Sequence, residues 1–161
     1  MRMRTNIEPG DIGYIVYLHG ILYAQEYELD HTFEAYVAVG LGGFVKSFDE
    51  RKDRLWLAED DGQIVGSVAI AGLPDRTAQL RWFLVHPTAR GKGLGHLLLS
   101  EALAFCRERD FGSVFLWTIS ELTTAAHLYQ LSGFRPTDQK DHVIWGGPRT
   151  EQRYDLILEV T

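Results

Sequence analysis

The sequence has a single cysteine and no long hydrophobic run, and its basic residues are fewer than its acidic ones. Cys106 alone cannot form an internal disulfide bond, which favours a reducing compartment such as the cytosol. No apolar stretch approaches the roughly 20 residues that a membrane-spanning helix needs. The basic start at residues 1–4 is not followed directly by the apolar stretch of a signal peptide. We therefore expect a cytoplasmic protein that does not act in a membrane.

The charge balance counts against nucleic acid as a partner. Lys and Arg total 16 and Asp and Glu total 22, which gives a formal net charge of -6. A nucleic-acid-binding protein needs clustered basic residues to neutralise phosphates, and here the basic residues are scattered. An acidic protein instead favours cationic partners, and an amine fits that preference. No His or Cys pair has convincing metal-ligand spacing, so no metal site is expected.

The composition is rich enough in apolar residues to build one core. The chain has 161 residues, of which 45% are hydrophobic, and this length suits a single domain over residues 1–161. Periodicity predicts an α/β fold with a mixed sheet, with Asp11 as a possible N-cap of the first helix. The predicted strands are 5–8, 55–59, 63–71, 78–86, 114–118, 142–145 and 153–159, and the predicted helices are 12–26, 31–45, 93–109 and 122–131.

A glycine-rich turn lies between the predicted strand 78–86 and the predicted helix 93–109. Glycines at 91, 93 and 95 remove side chains where the backbone would approach a ligand. A helix start offers N–H groups without helical partners and the positive end of the helix dipole, which together attract anions. Arg90 and Lys92 add two cations. The turn therefore predicts a phosphate-binding site.

Three phosphate-binding patterns compete for this turn. A P-loop needs Lys after its last glycine and then Ser or Thr, but Lys92 precedes Gly93. The dinucleotide pattern G-x-G-x-x-G fails because His96 occupies the position of its third glycine. A pyrophosphate loop of the form Arg/Gln-x-x-Gly-x-Gly/Ala matches residues 90–95. A flexible linker is the remaining alternative, and it is disfavoured because linkers rarely combine close-packing glycines with two cations.

Two segments resemble motifs of the GNAT superfamily of N-acetyltransferases. They are LRWFLVHPTARGKGLGHLLL at residues 80–99 and AAHLYQLSGF at residues 125–134, the second being similar to the family ending A-x-x-L-Y-x-x-x-G-F. The resemblance implies the GNAT-like acyl-CoA N-acyltransferase fold, with a mixed sheet of six to seven strands and about four helices. Residues 19–38, 55–70 and 78–85 further resemble the acetyltransferase half of bacterial proteins that fuse a MarR-type winged helix to a GNAT domain, here as a free-standing relative.

The resemblance implies acetyl-CoA as cosubstrate and assigns roles by position. An N–H near Phe83 or Leu84 would face the thioester carbonyl, and Tyr129 occupies the position of the general acid. The implied cofactor-binding residues are Phe83, Leu84, Val85, Arg90, Gly91, Lys92, Gly93, Leu94, Gly95 and His96. Two positions depart from the family: Leu122 replaces an Asn that contacts pantetheine, and Gln79 and Arg81 stand where many members carry a Glu that acts as the base.

The implied reaction is direct attack by a primary amine on the thioester within a ternary complex. An alkyl amine with a pKa near ~10 must first lose a proton. Glu26 and Glu34, on the helices that resemble the acceptor-binding region, are the candidate bases, although both could equally be solvated surface charges. His19 titrates in a useful range, but a lone His is more often structural.

Two classes of function remain open at the level of sequence. The first is an N-acetyltransferase acting on a small-molecule or peptide amine. The second is a non-catalytic acyl-CoA-binding or sensing module that acts through a protein partner. Tyr129 favours the enzyme, and the missing strand Glu weakly favours the module. Homodimers are common among similar proteins, but no interface can be assigned from the sequence.

Overall fold

Seven strands form one mixed sheet in the computed structural model, which describes residues 1–158. The strands are β1 (Arg2–Arg4), β2 (Arg54–Asp60), β3 (Gln63–Leu73), β4 (Thr77–Val85), β5 (Ser113–Ile119), β6 (Arg135–Ile144) and β7 (Gly147–Ile157). The helices are α1 (Asp11–Tyr27), α2 (His31–Lys46), α3 (Leu94–Glu108) and α4 (Thr123–Leu131). The expected mixed sheet and the four expected helices are thereby confirmed. No helix among these residues has the length and apolar character needed to cross a membrane.

The sheet has the spatial order β1-β2-β3-β4-β5-β7-β6, and all its pairings are antiparallel except β4 with β5. Alternate residues of β2 divide between two cores: Leu55 and Leu57 pack with α1 and α2, and Trp56 and Ala58 pack with α3. Because helices cover both faces, β2 and β3 are buried on both sides and read as continuous apolar runs. This is why their sequence signal is strong.

The predicted first strand at residues 5–8 and the predicted N-cap Asp11 are both wrong. The strand is Arg2–Arg4 instead, paired along β2. The N-cap of α1 is Gly10, and the Asp11 carboxylate accepts hydrogen bonds from the buried Arg4 guanidinium at 2.7 and 2.8 Å. A buried guanidinium needs an anionic partner. Asp11 therefore forms an ion pair with Arg4 of β1 and does not cap the helix.

The C-terminal hairpin is much longer than the predicted strands 142–145 and 153–159, of which residue 159 lies outside the described residues. Strand β6 spans 10 residues, nearly all exposed, so its sequence carries no apolar alternation. Its backbone is satisfied by β7, which pairs with it from Arg135 to Ile144. The two strands meet at Trp145 and Gly146, whose φ values of 56° and 100° match a two-residue hairpin turn with both central residues at positive φ.

Strands β4 and β5 pair only at their N-terminal ends and then diverge. The parallel register joins Thr77–Gln79 to Ser113–Phe115 and goes no further. On the other side of β4, Ser67 pairs with Leu84 and Ala69 with Arg81. Two residues of β4 therefore stand opposite one residue of β3, which is a β-bulge that bends the strand. The divergence opens the middle of the sheet, and the site lies there.

Candidate functional site

Two cavities open where β4 and β5 separate. The first, which we call the turn cavity, has a volume of about 330 Å³ and lies between β4, the turn after it and α4. The second, the aromatic cavity, has a volume of about 110 Å³ and lies between α1, α2, β4, β5 and the start of β7. Tyr23, Phe83 and Leu122 line both cavities. The two spaces therefore meet at these three side chains.

The glycine-rich turn presents a row of free backbone donors to the turn cavity. Within residues 1–158, no N–H group from position 91 to position 96 donates a backbone hydrogen bond. Gly91 and Gly93 have φ values of 77° and 82°, and a Cβ on either would meet no protein atom within 4 Å. Gly95 is different, because a Cβ there would lie 3.0 Å from the Leu128 side chain of α4. The first two glycines expose the backbone, and the third permits helix packing.

The structure brings together most of the residues expected to bind the cofactor. The turn cavity is lined by Phe83, Leu84, Val85, Arg90, Gly91, Gly93, Leu94, Gly95 and His96. Lys92 lies in the same turn with its side chain exposed and outside the cavity wall. A cavity that reaches from a helix start with free N–H groups to the junction with the second cavity suits a molecule with a phosphate end and a reactive arm.

Arg90 is held by Glu26 of α1 rather than left free in the turn. Its guanidinium donates to the two Glu26 carboxylate oxygens at 2.5 and 2.8 Å, and its Nε donates to the Val85 carbonyl at 3.0 Å. The hydrogen bonds from Arg90 lower the pKa of Glu26 below its usual range. Glu26 is therefore a poor proton acceptor, and its ion pair with Arg90 links α1 to the turn.

The second candidate base, Glu34, is not brought to either cavity. It lies on the exposed side of α2, and its side chain covers Gly20 of the neighbouring helix α1. Of the two carboxylates expected as bases, only Glu26 lines a cavity.

Tyr129 is buried in the wall of the aromatic cavity, 4% exposed. Its ring packs 5.8 Å from the Phe83 ring at the junction and 5.9 Å from the Tyr154 ring. Burial raises the pKa of its hydroxyl well above the usual tyrosine value. The hydroxyl is therefore protonated at neutral pH.

The aromatic cavity also contains polar groups that sequence reasoning did not assign to a site. The Nδ1 of His19 lies 2.9 Å from the Ile15 carbonyl, to which it donates, so that Nε2 is left as an acceptor. This Nε2 and the Thr118 hydroxyl are buried without a hydrogen-bond partner in the described part of the chain. Tyr23 also lines the junction.

His19 makes folding stability depend on pH. Burial lowers its pKa from 6.5 to about 4, so its contribution is present above pH 6.5 and is lost as pH falls towards 4. When the pH falls from 7 to 4.5, we expect the free energy of unfolding to decrease by roughly 2 kcal/mol more in the wild type than in a His19→Asn variant. This value follows from about 1.4 kcal/mol for each unit of pKa shift. Urea unfolding at the two pH values measures this, and equal losses would contradict it. The variant keeps an N–H donor for Ile15, so the comparison isolates the titration.

Two other chemistries lack support around these cavities. Cys106 is fully buried in α3, and burial raises the pKa of its thiol to about 12, which makes it a packing residue rather than a nucleophile. Among the 158 residues that the structure describes, no three His, Cys, Asp or Glu side chains group as metal ligands. The chemistry of the site therefore rests on hydroxyl, imidazole, guanidinium and carboxylate groups.

Comparison with known proteins agrees with this geometry. A family model described as the acetyltransferase (GNAT) family matches residues 17–134. Mycothiol acetyltransferase from Cellulomonas flavigena is 37% identical over an alignment of 91 residues that covers 50% of this chain. The chain spans 26% of the length of that relative.

Solved structures show the same fold. A GNAT-family protein from Desulfovibrio desulfuricans superposes with a TM-score of 0.78 at 17% identity, covering 98% of this chain and 99% of that one. The protein yncA from Salmonella typhimurium, solved with its cofactor acetyl-CoA, gives a TM-score of 0.74 at 20% identity, covering 100% and 95%. These likenesses confirm the expected fold.

Proposed function

Because the chain belongs to the acetyltransferase (GNAT) family, we propose that it is an N-acetyltransferase that uses acetyl-CoA and a primary amine. The observation that carries this proposal is the junction at Tyr23, Phe83 and Leu122, where two cavities of different character meet beside Tyr129. One cavity suits the acyl donor and the other suits the acceptor. Two substrates that enter through the two cavities would meet at this point.

The turn cavity fits acetyl-CoA. The free N–H groups of residues 91–96 and the start of α3 bind the pyrophosphate, with Lys92 contributing positive charge. Val85, Leu84 and Phe83 then lead along β4 towards the junction. When bound, acetyl-CoA supplies an activated acetyl group as a thioester. The chain's own part is to hold this group at the junction.

The bulge in β4 supports a donor for the negative charge that develops on the thioester carbonyl oxygen. Trp82 and Phe83 stand opposite a single residue of β3, and Trp82 adopts a positive φ of 50°. The Ser67 hydroxyl donates a hydrogen bond to the Trp82 carbonyl at 2.7 Å and so helps to hold this conformation. An N–H released from the ladder at Phe83 or Leu84 can then face the junction. Fixed backbone donors of this kind stabilise an oxyanion without reorganisation.

Proton transfers at the junction divide between leaving group and acceptor. Tyr129, protonated and buried, donates to the departing sulfur. The acceptor amine loses its proton to water, and the His19 Nε2, whose pKa burial lowers to about 4, serves only to accept a hydrogen bond in the aromatic cavity. Glu26 acts mainly through Arg90, since their ion pair fixes the position of the turn.

An amine-dependent thiol-release assay tests the function. Purified protein is mixed with acetyl-CoA and each member of a panel of primary amines. The free CoA thiol is measured with a colorimetric thiol reagent, and the acetylated product is identified by mass spectrometry. We expect thiol release that requires one class of amine and a product carrying one acetyl group. Acetyl-CoA binding without amine-dependent release would instead favour a non-catalytic acyl-CoA-binding module.

A further inference from the structure

Arg81 carries an unpaired charge in the wall of the aromatic cavity. Its guanidinium stacks on the Trp82 ring, 4.2 Å from the ring centroid, and it is half-buried. No carboxylate or carbonyl within residues 1–158 accepts a hydrogen bond from it. Gly40 of α2 makes room for it, since a Cβ there would lie 3.0 Å from Arg81 Nη2. A partly buried guanidinium without an anion costs free energy that a ligand carboxylate would recover.

One carboxylate faces the same cavity. Glu151, in the middle of β7, lines the wall, and its Oε1 lies 2.7 Å from His142 Nε2. Arg81 and Glu151 are the only side chains with a fixed formal charge among the described residues of this wall. The cavity therefore offers one positive and one negative group. A ligand with one carboxylate and one ammonium group matches this pair without net charge.

Two further groups in the wall call for hydrogen-bond partners. The Thr118 hydroxyl and the His19 Nε2 are buried and unpartnered in the described part of the chain. Buried polar groups are rarely left unsatisfied, because each has given up its hydrogen bonds to water without a replacement. Their placement in a cavity that already carries two opposite charges indicates a polar ligand rather than an empty gap.

The rest of the wall is aromatic. The Tyr23 and Phe33 rings stack at 4.8 Å, and Trp145 packs 5.0 Å from Phe33 and 5.3 Å from Tyr36. Such a surface binds a flat or apolar side chain. The polar end and the apolar side of the acceptor thus have separate partners in one cavity.

We propose that the acceptor is an amino acid with an aromatic or other apolar side chain, whose carboxylate binds Arg81 and whose amino group lies on the Glu151 side. This rests on the proposed acetyl transfer. The acceptor nitrogen forms a bond to the acetyl carbon and the C–S bond breaks. The ammonium group loses two protons, of which one is balanced by protonation of the departing sulfur and the other passes to water. Arg81 is thereby a specificity-determining residue.

Paired compounds that differ only in the carboxylate test this assignment. L-Phenylalanine is compared with phenethylamine, and L-leucine with isoamylamine, in the thiol-release assay. A bidentate charge-assisted contact is worth about 1.5–3 kcal/mol, so we expect kcat/KM about 10- to 100-fold higher for the amino acid of each pair. Arg81→Gln should remove this preference, because kcat/KM for the amino acid of each pair falls towards the value for its plain amine. Arg107→Gln, which removes an exposed guanidinium from α3, is the matched control and should change neither.

Binding measurements keep the test decisive when turnover is low. Calorimetry with N-acetyl-L-phenylalanine and N-acetylphenethylamine should show tighter binding of the first, and Arg81→Gln should abolish the difference while Arg81→Lys keeps part of it. Equal affinity of the two compounds for the wild type, or an equal loss of both in Arg81→Gln, would overturn the proposal. Titration of acetyl-CoA into the same proteins distinguishes failure of the acceptor assignment from failure of the proposed function. Wild-type protein that does not bind acetyl-CoA would count against the acetyl transfer itself.

Discussion

Replacing Tyr129 with Phe is expected to lower kcat for acetyl transfer about 100-fold and to leave the Kd for acetyl-CoA within about twofold. Tyr129 is buried in the wall of the aromatic cavity, and the raised pKa of its hydroxyl keeps this group protonated at neutral pH. Phe keeps the ring that packs on Phe83 and Phe134. The variant therefore removes the proton donor for the departing sulfur with little change in packing. Steady-state kinetics and an acetyl-CoA titration measure the two quantities.

Tyr154→Phe is the matched control for this variant. Tyr154 is equally buried, with its ring 5.9 Å from that of Tyr129, but it lines neither cavity. The same loss of one hydroxyl should change kcat by less than about twofold, because Tyr154 lines neither cavity and so contacts neither substrate. Equal kcat values in the two variants would remove Tyr129 as the proton donor.

Alanine at both Gly91 and Gly93 is expected to weaken acetyl-CoA binding by at least about tenfold. Each new methyl group projects into open space at the turn, where it meets no protein atom and stands where the pyrophosphate would approach the N–H groups. Each also places a side-chain residue at a φ near 80°, which costs about 1–2 kcal/mol of folding stability. Calorimetry gives the affinity, and thermal unfolding gives the cost in stability.

Gly62→Ala separates strain from ligand contact. Gly62 lies in the β2–β3 turn with a φ of 76°, and a Cβ there would meet no protein atom within 4 Å, which is the same local geometry as at Gly93. It should lose a similar free energy of unfolding per substitution and keep full acetyl-CoA affinity. If the double variant binds acetyl-CoA as tightly as Gly62→Ala does, the turn is not the pyrophosphate site.

The strongest sequence signals came from elements whose local chemistry is sufficient to define them. The turn at residues 90–96 was recognisable because its glycines, its cations and the helix start coincide within a few residues. Strands β2 to β4 were recognisable because burial on one or both faces imposes an apolar pattern. Strand β6 was not, because it is exposed and polar, and its existence depends on pairing with β7.

The sequence was a poorer guide to contacts between distant segments. Arg90 and Glu26 were assigned separate roles, yet they form one ion pair across 64 positions of the chain. Glu34 has a reasonable position along α2, but the packing of α2 on α1 turns it away from both cavities. Arg81 was noted only as a departure from a family pattern. Its significance depends on the absence of a partner among residues 1–158, which only three-dimensional packing reveals.

Titration of acetyl-CoA into the folded wild-type protein tests the central claim most directly. Isothermal titration calorimetry should show one binding site per chain, with competition by free CoA and with the affinity reduced in the Gly91→Ala, Gly93→Ala variant. Circular dichroism confirms that each protein is folded before the titration. Folded wild-type protein that binds neither acetyl-CoA nor CoA would contradict the proposed acetyl transfer.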